Sequence, residues 1–124
     1  MYVGVLRLHL SIVGARSLKD KRSVVRSFKE RAQARLRVSI AEVGQLDHPR
    51  HASLGVAVVS NSAAQCDKVL SSVASMAGTL PDAILTDRAS EIIPFGEGGA
   101  GLQGGIEQAL DRDHDDDSDE EDLP

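Results

Sequence analysis

The alternation of apolar and polar positions predicts strands at four places in the chain. Apolar residues occupy every second position over 2–12, and similar alternation covers 36–45 and 52–60. A less regular pattern over 84–93 predicts a last strand, which ends before Pro94. A period of two residues over such lengths is typical of strands with one buried face. The buried face of the first strand is predicted to carry Leu6, Leu8, Leu10 and Ile12.

Two helices are predicted between these strands. Each begins with a capping box, formed by Ser17 with Asp20 and by Ser62 with Gln65. The apolar residues that follow recur every three or four positions and give each helix one buried stripe. The stripes are Leu18, Val25, Phe28 and Ala32 in the first helix, and Cys66, Val69, Leu70, Val73 and Met76 or Ala77 in the second.

The predicted order of elements is therefore βαββαβ. Since each helix has a single apolar stripe, the simplest packing places both helices on one face of a four-stranded antiparallel sheet. This is a ferredoxin-like α+β sandwich, and it leaves the other face of the sheet open.

Composition divides the chain into a domain over 1–95 and a tail over 96–124. The tail is Gly-rich and then acidic, so it has too little apolar surface to offset the entropy of ordering, and it is predicted to be disordered. The domain carries 13 Lys and Arg against 8 Asp and Glu, whereas the tail carries one Arg against 11 acidic residues. A basic domain favours a polyanionic or acidic partner. Two interpretations of the tail stay open: it screens the basic domain, or it only keeps the chain soluble.

The stretch over 16–37 holds nine of the fourteen Lys and Arg residues. We expect the basic face of the first helix to contact RNA phosphates, with a slope of log affinity against log salt of roughly −3 to −3.5 for four or five contacts. Lys21 falls near the apolar stripe and is expected to snorkel to the surface. The alternative is a solvated face with pairs such as Arg26 with Glu30. The candidate RNA-binding residues are Arg16, Lys19, Lys21, Arg22, Arg26 and Lys29.

The open face of the sheet is a candidate surface for homo-oligomerisation. It is predicted to combine small residues with flanking valines, and flat, partly apolar surfaces of this kind often mark protein interfaces. It offers no aromatic residue on which bases would stack, so base stacking is not expected, and RNA contact is expected to be directed by phosphates or shape, as in structured RNA. The candidate interface residues are Val5, Arg7, His9, Ser39, Ala41, Gly55 and Ala57.

Neither catalysis nor a cofactor is indicated by the sequence. Asp47, His48 and His51 lie in one polar turn and lack the closed ligand set of a structural zinc site, so no metal is expected. Cys66 is the only cysteine, which excludes an internal disulfide and favours a reducing compartment. With no signal peptide and no apolar run of about 20 residues, the protein is expected in the cytoplasm, without a membrane partner or a small-molecule substrate.

Four segments of the chain resemble the small bacterial YlxP-like family (domain of unknown function 503). They are Y-V-G-V-L-R-L-H-L, G-A-R-S-L-K-D-K-R-S-V-V-R-S, V-S-I-A-E-V-G and L-G-V-A-V-V-S-N, and the resemblance covers about residues 1–93. It implies a ferredoxin-like fold and a cytoplasmic bacterial protein, often encoded beside genes for translation and ribosome maturation. It implies no catalytic residue. The acidic tail lies beyond it.

These observations lead to two hypotheses of function. In the first, the chain is a non-enzymatic, dimeric accessory protein of ribosome maturation or translation, and the basic face of the first helix binds structured RNA or a ribonucleoprotein surface. In the alternative, it is a homo-oligomeric interaction module that uses the open sheet face and has no role with nucleic acid.

Overall fold

A computed structural model describes residues 1–96 of the chain. The predicted tail, apart from Gly96, lies outside the described residues. The elements follow the predicted order: β1 (Tyr2–Ser11), α1 (Leu18–Arg35), β2 (Ser39–Gly44), β3 (His51–Ser60), α2 (Ala63–Gly78) and β4 (Ile84–Pro94).

The four strands form one sheet in the order β2-β3-β1-β4. The two central strands, β1 and β3, pair antiparallel along their full length, with Leu8 opposite Leu54 and His9 opposite Ser53. Strand β2 pairs antiparallel with β3, and its register shifts between Glu42 and Gly44, as in a β-bulge. The predicted four-stranded antiparallel sheet of a ferredoxin-like α+β fold is therefore confirmed.

Both helices begin at the predicted caps. The Ser17 hydroxyl accepts a hydrogen bond from the Asp20 amide at 3.2 Å, and Ser62 accepts one from Gln65 at the same distance. Helix α1 ends later than the strand pattern indicated, because the amide of Leu36 still donates to the carbonyl of Ala32 at 2.8 Å. Strand β2 consequently starts at Ser39 rather than at residue 36.

The core lies between the helices and one face of the sheet. The predicted strand residues and most of both helix stripes are buried there, which leaves the other face of the sheet uncovered by α1 and α2. Of the predicted stripes, only Leu18, Val69 and Met76 remain half-buried. Within residues 1–96, no helix is both long and apolar enough to cross a membrane.

The chain divides into two compact units. Residues 2–93 form the unit that contains both helices and nearly all of the sheet. The described part of the other unit is Met1 with residues 94–96, in which the amide of Phe95 donates to the carbonyl of Met1 at 2.8 Å.

Gly4 is the point of close approach between β1 and α2. A Cβ atom at this position would lie 3.0 Å from Leu70 Cδ1 and 3.2 Å from Cys66 Cβ. We expect Gly4→Val to lower the free energy of unfolding by about 1–3 kcal/mol, because the larger side chain pushes α2 away from the sheet. Gly14→Val is the matched control, since nothing lies within 4 Å of a Cβ there. Urea unfolding compares the two variants, and equal losses would contradict this account of Gly4.

Candidate nucleic-acid interface

A row of cations runs along one flank of α1. Lys19, Arg22 and Arg26 are exposed and Lys29 is half-buried. Because they recur at steps of three and four residues, they lie on one side of the helix, over about 15 Å of its length. We call these four residues the basic row; Arg16, also exposed, precedes the helix.

The remaining arginines of α1 lie on its other flank, toward α2. Arg31 lines a groove with Leu80 and Asp82. Arg35 lines a second groove with Lys68 of α2. The basic row and this flank are therefore separate surfaces of one helix.

No carboxylate neutralises the basic row among the described residues. The salt bridges within residues 1–96 join Arg7 to Asp87 and Lys21 to Glu42. Arg26 and Glu30 do not form a salt bridge with each other. Such a pair is expected if the helix face is only solvated. The Asp20 carboxylate accepts a hydrogen bond from the main-chain amide of Arg16, and the Arg16 guanidinium forms no salt bridge within residues 1–96.

Lys21 is not part of this exposed surface, and its prediction as a snorkelling RNA contact is wrong. The residue is 0% exposed. Its ammonium donates to Glu42 Oε2 at 2.7 Å and to the carbonyls of Gln45 at 2.8 Å and His51 at 3.2 Å, with Leu46 O at 3.3 Å. These oxygens replace water around the charge, so the side chain has no need to reach the surface.

The buried Lys21 ammonium organises the turn between β2 and β3. Gln45 adopts a φ of 59°, in the left-handed region, and its carbonyl accepts from the ammonium. The other end of the turn is attached near the start of α1: Arg50 Nε donates to the carbonyl of Ala15 at 3.2 Å, and the amide of Ile12 donates to the carbonyl of Arg50 at 2.7 Å. The turn is therefore held beside the N-terminal end of α1.

All seven predicted interface residues lie on the open sheet face. Their strand positions alternate with the buried ones, and Arg7 pairs there with Asp87 at 3.4 Å. Val43 covers Gly55, where a Cβ would meet Val43 Cγ1 at 3.1 Å. Val43 and Val59 are the most exposed large apolar side chains of this face, at 59% and 62%.

Three histidine rings meet at one end of the open face, which sequence reasoning missed. The rings of His9 and His51 are stacked, with centroids 5.6 Å apart and an interplanar angle of 26°. His48 contacts His51 edge to face at 4.4 Å. The pairing register explains the contact, because His51 is the diagonal neighbour of His9 across β1 and β3. We call these three residues the histidine cluster.

The histidine cluster is not arranged as a metal centre. No group of three or more His, Cys, Asp or Glu residues within 1–96 could hold a metal ion.

Cys66 is buried in the core, and its thiol lies 3.8 Å from the carbonyl of Tyr2.

Comparison with known proteins assigns the part of the chain that carries these surfaces to one family. The sequence model described as "Protein of unknown function (DUF503)" matches residues 3–89, which include α1, the turn and the histidine cluster. The uncharacterized protein YlxP of Bacillus subtilis (strain 168) is 35% identical over 80 residues, which are 64% of this chain and 87% of that protein. The chain therefore belongs to the DUF503 family and is similar to YlxP.

Proposed function

We propose that this protein is a non-enzymatic accessory factor of ribosome maturation or translation that binds structured RNA or a ribonucleoprotein surface through the basic row and Arg16. The observation that carries the proposal is that these five cations have no acidic partner among the described residues. Each phosphate that such a cation neutralises releases condensed counterions, which is the main source of affinity in contacts of this kind.

The rigidity of α1 supports a phosphate-directed contact. The helix is capped at Ser17 and fixed to the sheet through Val25, Phe28 and Ala32, so the basic row keeps its spacing without a partner. A row carried by a folded helix loses less backbone entropy on binding than a flexible basic segment does. Such a row suits RNA with a fixed backbone path, which is the property of structured RNA.

The proposed connection with ribosomes rests on the resemblance to the YlxP-like family, whose genes often lie beside those for translation. It is tested by co-sedimentation of the protein with purified ribosomal subunits across a salt series. We expect association at low salt that weakens steadily as salt rises. Absence of association at the lowest salt would contradict the proposed partner.

A second candidate function is homo-oligomerisation through the open sheet face. It is favoured by the exposure of Val43 and Val59 beside the small residues Gly55 and Ala57. If it holds, light scattering gives a dimer, and Ala57→Lys returns the mass to that of a monomer because a charge is placed in the contact. A monomer before substitution would remove this candidate.

A further inference from the structure

We propose that the histidine cluster is a stacking site for one unpaired base of the bound RNA. The inference rests on the proposed function and narrows its substrate to structured RNA that carries a bulged or looped-out nucleotide. The basic row alone would accept a fully paired duplex equally well.

The rings of the cluster are packed against one another in fixed orientations. His9 and His51 are only 26° from parallel, and His9 Nδ1 lies 3.0 Å from Ser53 Oγ, which fixes the direction of its ring. His51 Nδ1 is buried without a hydrogen-bond partner among residues 1–96, so packing between His9 and His48 orients this ring. A preoriented ring surface lowers the entropic cost of stacking a base.

The position of the cluster on the sheet fits this use. RNA-recognition domains, which have a four-stranded sheet of this kind, stack two or three bases on aromatic rings of that sheet. His9 and His51 belong to β1 and β3, which are the central strands here. The sequence argued against stacking because the open face has no Phe, Trp or Tyr, but imidazole rings also stack on bases.

The turn between β2 and β3 connects the cluster with the basic surface. It carries His48 and Arg50. The Nε of Arg50 donates a hydrogen bond to the carbonyl of Ala15, the residue before Arg16. The Lys21 ammonium binds carbonyls of the same turn, including that of His51. The turn thus links the rings to the residues beside Arg16, and in the proposed complex the RNA backbone passes Arg16 and Arg50 while one displaced base contacts the rings.

The test uses two hairpin RNAs that differ by one nucleotide. The first has a single bulged 2-aminopurine, and the second pairs every base of the stem. We expect the bulged hairpin to bind about tenfold more tightly, with quenching of 2-aminopurine fluorescence on binding. All titrations contain EDTA, so that a metal ion bound by histidine cannot produce the preference.

Substitutions separate ring stacking from charge. We expect His51→Ala and His9→Ala to remove both the preference and the quenching, whereas His51→Phe keeps them because it retains a ring. His114→Ala changes the fourth histidine of the chain and is the matched control.

The outcomes distinguish this inference from the proposed function. If both hairpins bind equally and without quenching, the stacking site is wrong while RNA binding by the basic row stands. If His51→Phe loses as much preference as His51→Ala, stacking is also wrong. If neither hairpin binds at low salt, the proposed function fails and the inference fails with it.

Discussion

Replacing Lys21 by methionine is expected to lower the free energy of unfolding by about 3–5 kcal/mol, the range for removing one partner of a buried ion pair. The substitution keeps the apolar stem but leaves the Glu42 carboxylate, whose side chain is 16% exposed, without its cation. The carbonyls of Gln45 and His51 also lose a donor. A domain of this size has a total stability of about 5–15 kcal/mol, so the loss is severe.

Urea unfolding followed by circular dichroism measures this effect. Lys19→Met is the matched control, because Lys19 lies two residues away on the exposed surface and should change stability by no more than about 0.5 kcal/mol. Adding Glu42→Leu to Lys21→Met should recover part of the loss, since the unpaired carboxylate is then removed. Equal stability of Lys21→Met and Lys19→Met would contradict the role assigned to the buried ammonium.

Reversing two charges of the basic row, by Arg22→Glu with Arg26→Glu, is expected to weaken binding of structured RNA on the order of 30-fold or more at 0.1 M salt. The double substitution removes two phosphate contacts and places two negative charges against the RNA backbone. Neither side chain takes part in the core or in a salt bridge among the described residues, so the fold should persist.

A matched control exists on the same helix. Arg31→Glu with Arg35→Glu changes the net charge by the same amount on the flank that faces α2. We expect a much smaller loss of affinity, provided that urea unfolding shows both double variants folded. Equal losses in the two variants would mean that overall charge, rather than the basic row, governs binding.

Local signals in the sequence were sufficient to predict the fold. Capping boxes and apolar stripes depend on residues three or four positions apart, and Ser17, Ser62, Phe28 and Val73 accordingly lie where the patterns indicated. The end of α1 was less visible, because Leu36 fits both a helix terminus and an alternating strand.

The candidate site depended on contacts that no local pattern contains. Lys21 has the spacing of the buried stripe, but only the fold shows that Glu42 and the turn carbonyls surround its ammonium. His9 and His51 are 42 positions apart and meet only through the register of β1 with β3. For this reason the local patterns predict an exposed Lys21 and do not indicate that the rings meet.

The dependence of RNA affinity on salt tests the basic row most directly. With five phosphate contacts on a double-helical backbone, from the basic row and Arg16, the logarithm of affinity should fall against the logarithm of salt concentration with a slope of about −4.5, steeper than the value of about −3.5 for a single strand. Neutralising two of them, by Arg22→Gln with Arg26→Gln, should bring the slope to about −2.7. An unchanged slope in the neutralised variant would contradict the assignment of the RNA contact to this face of α1.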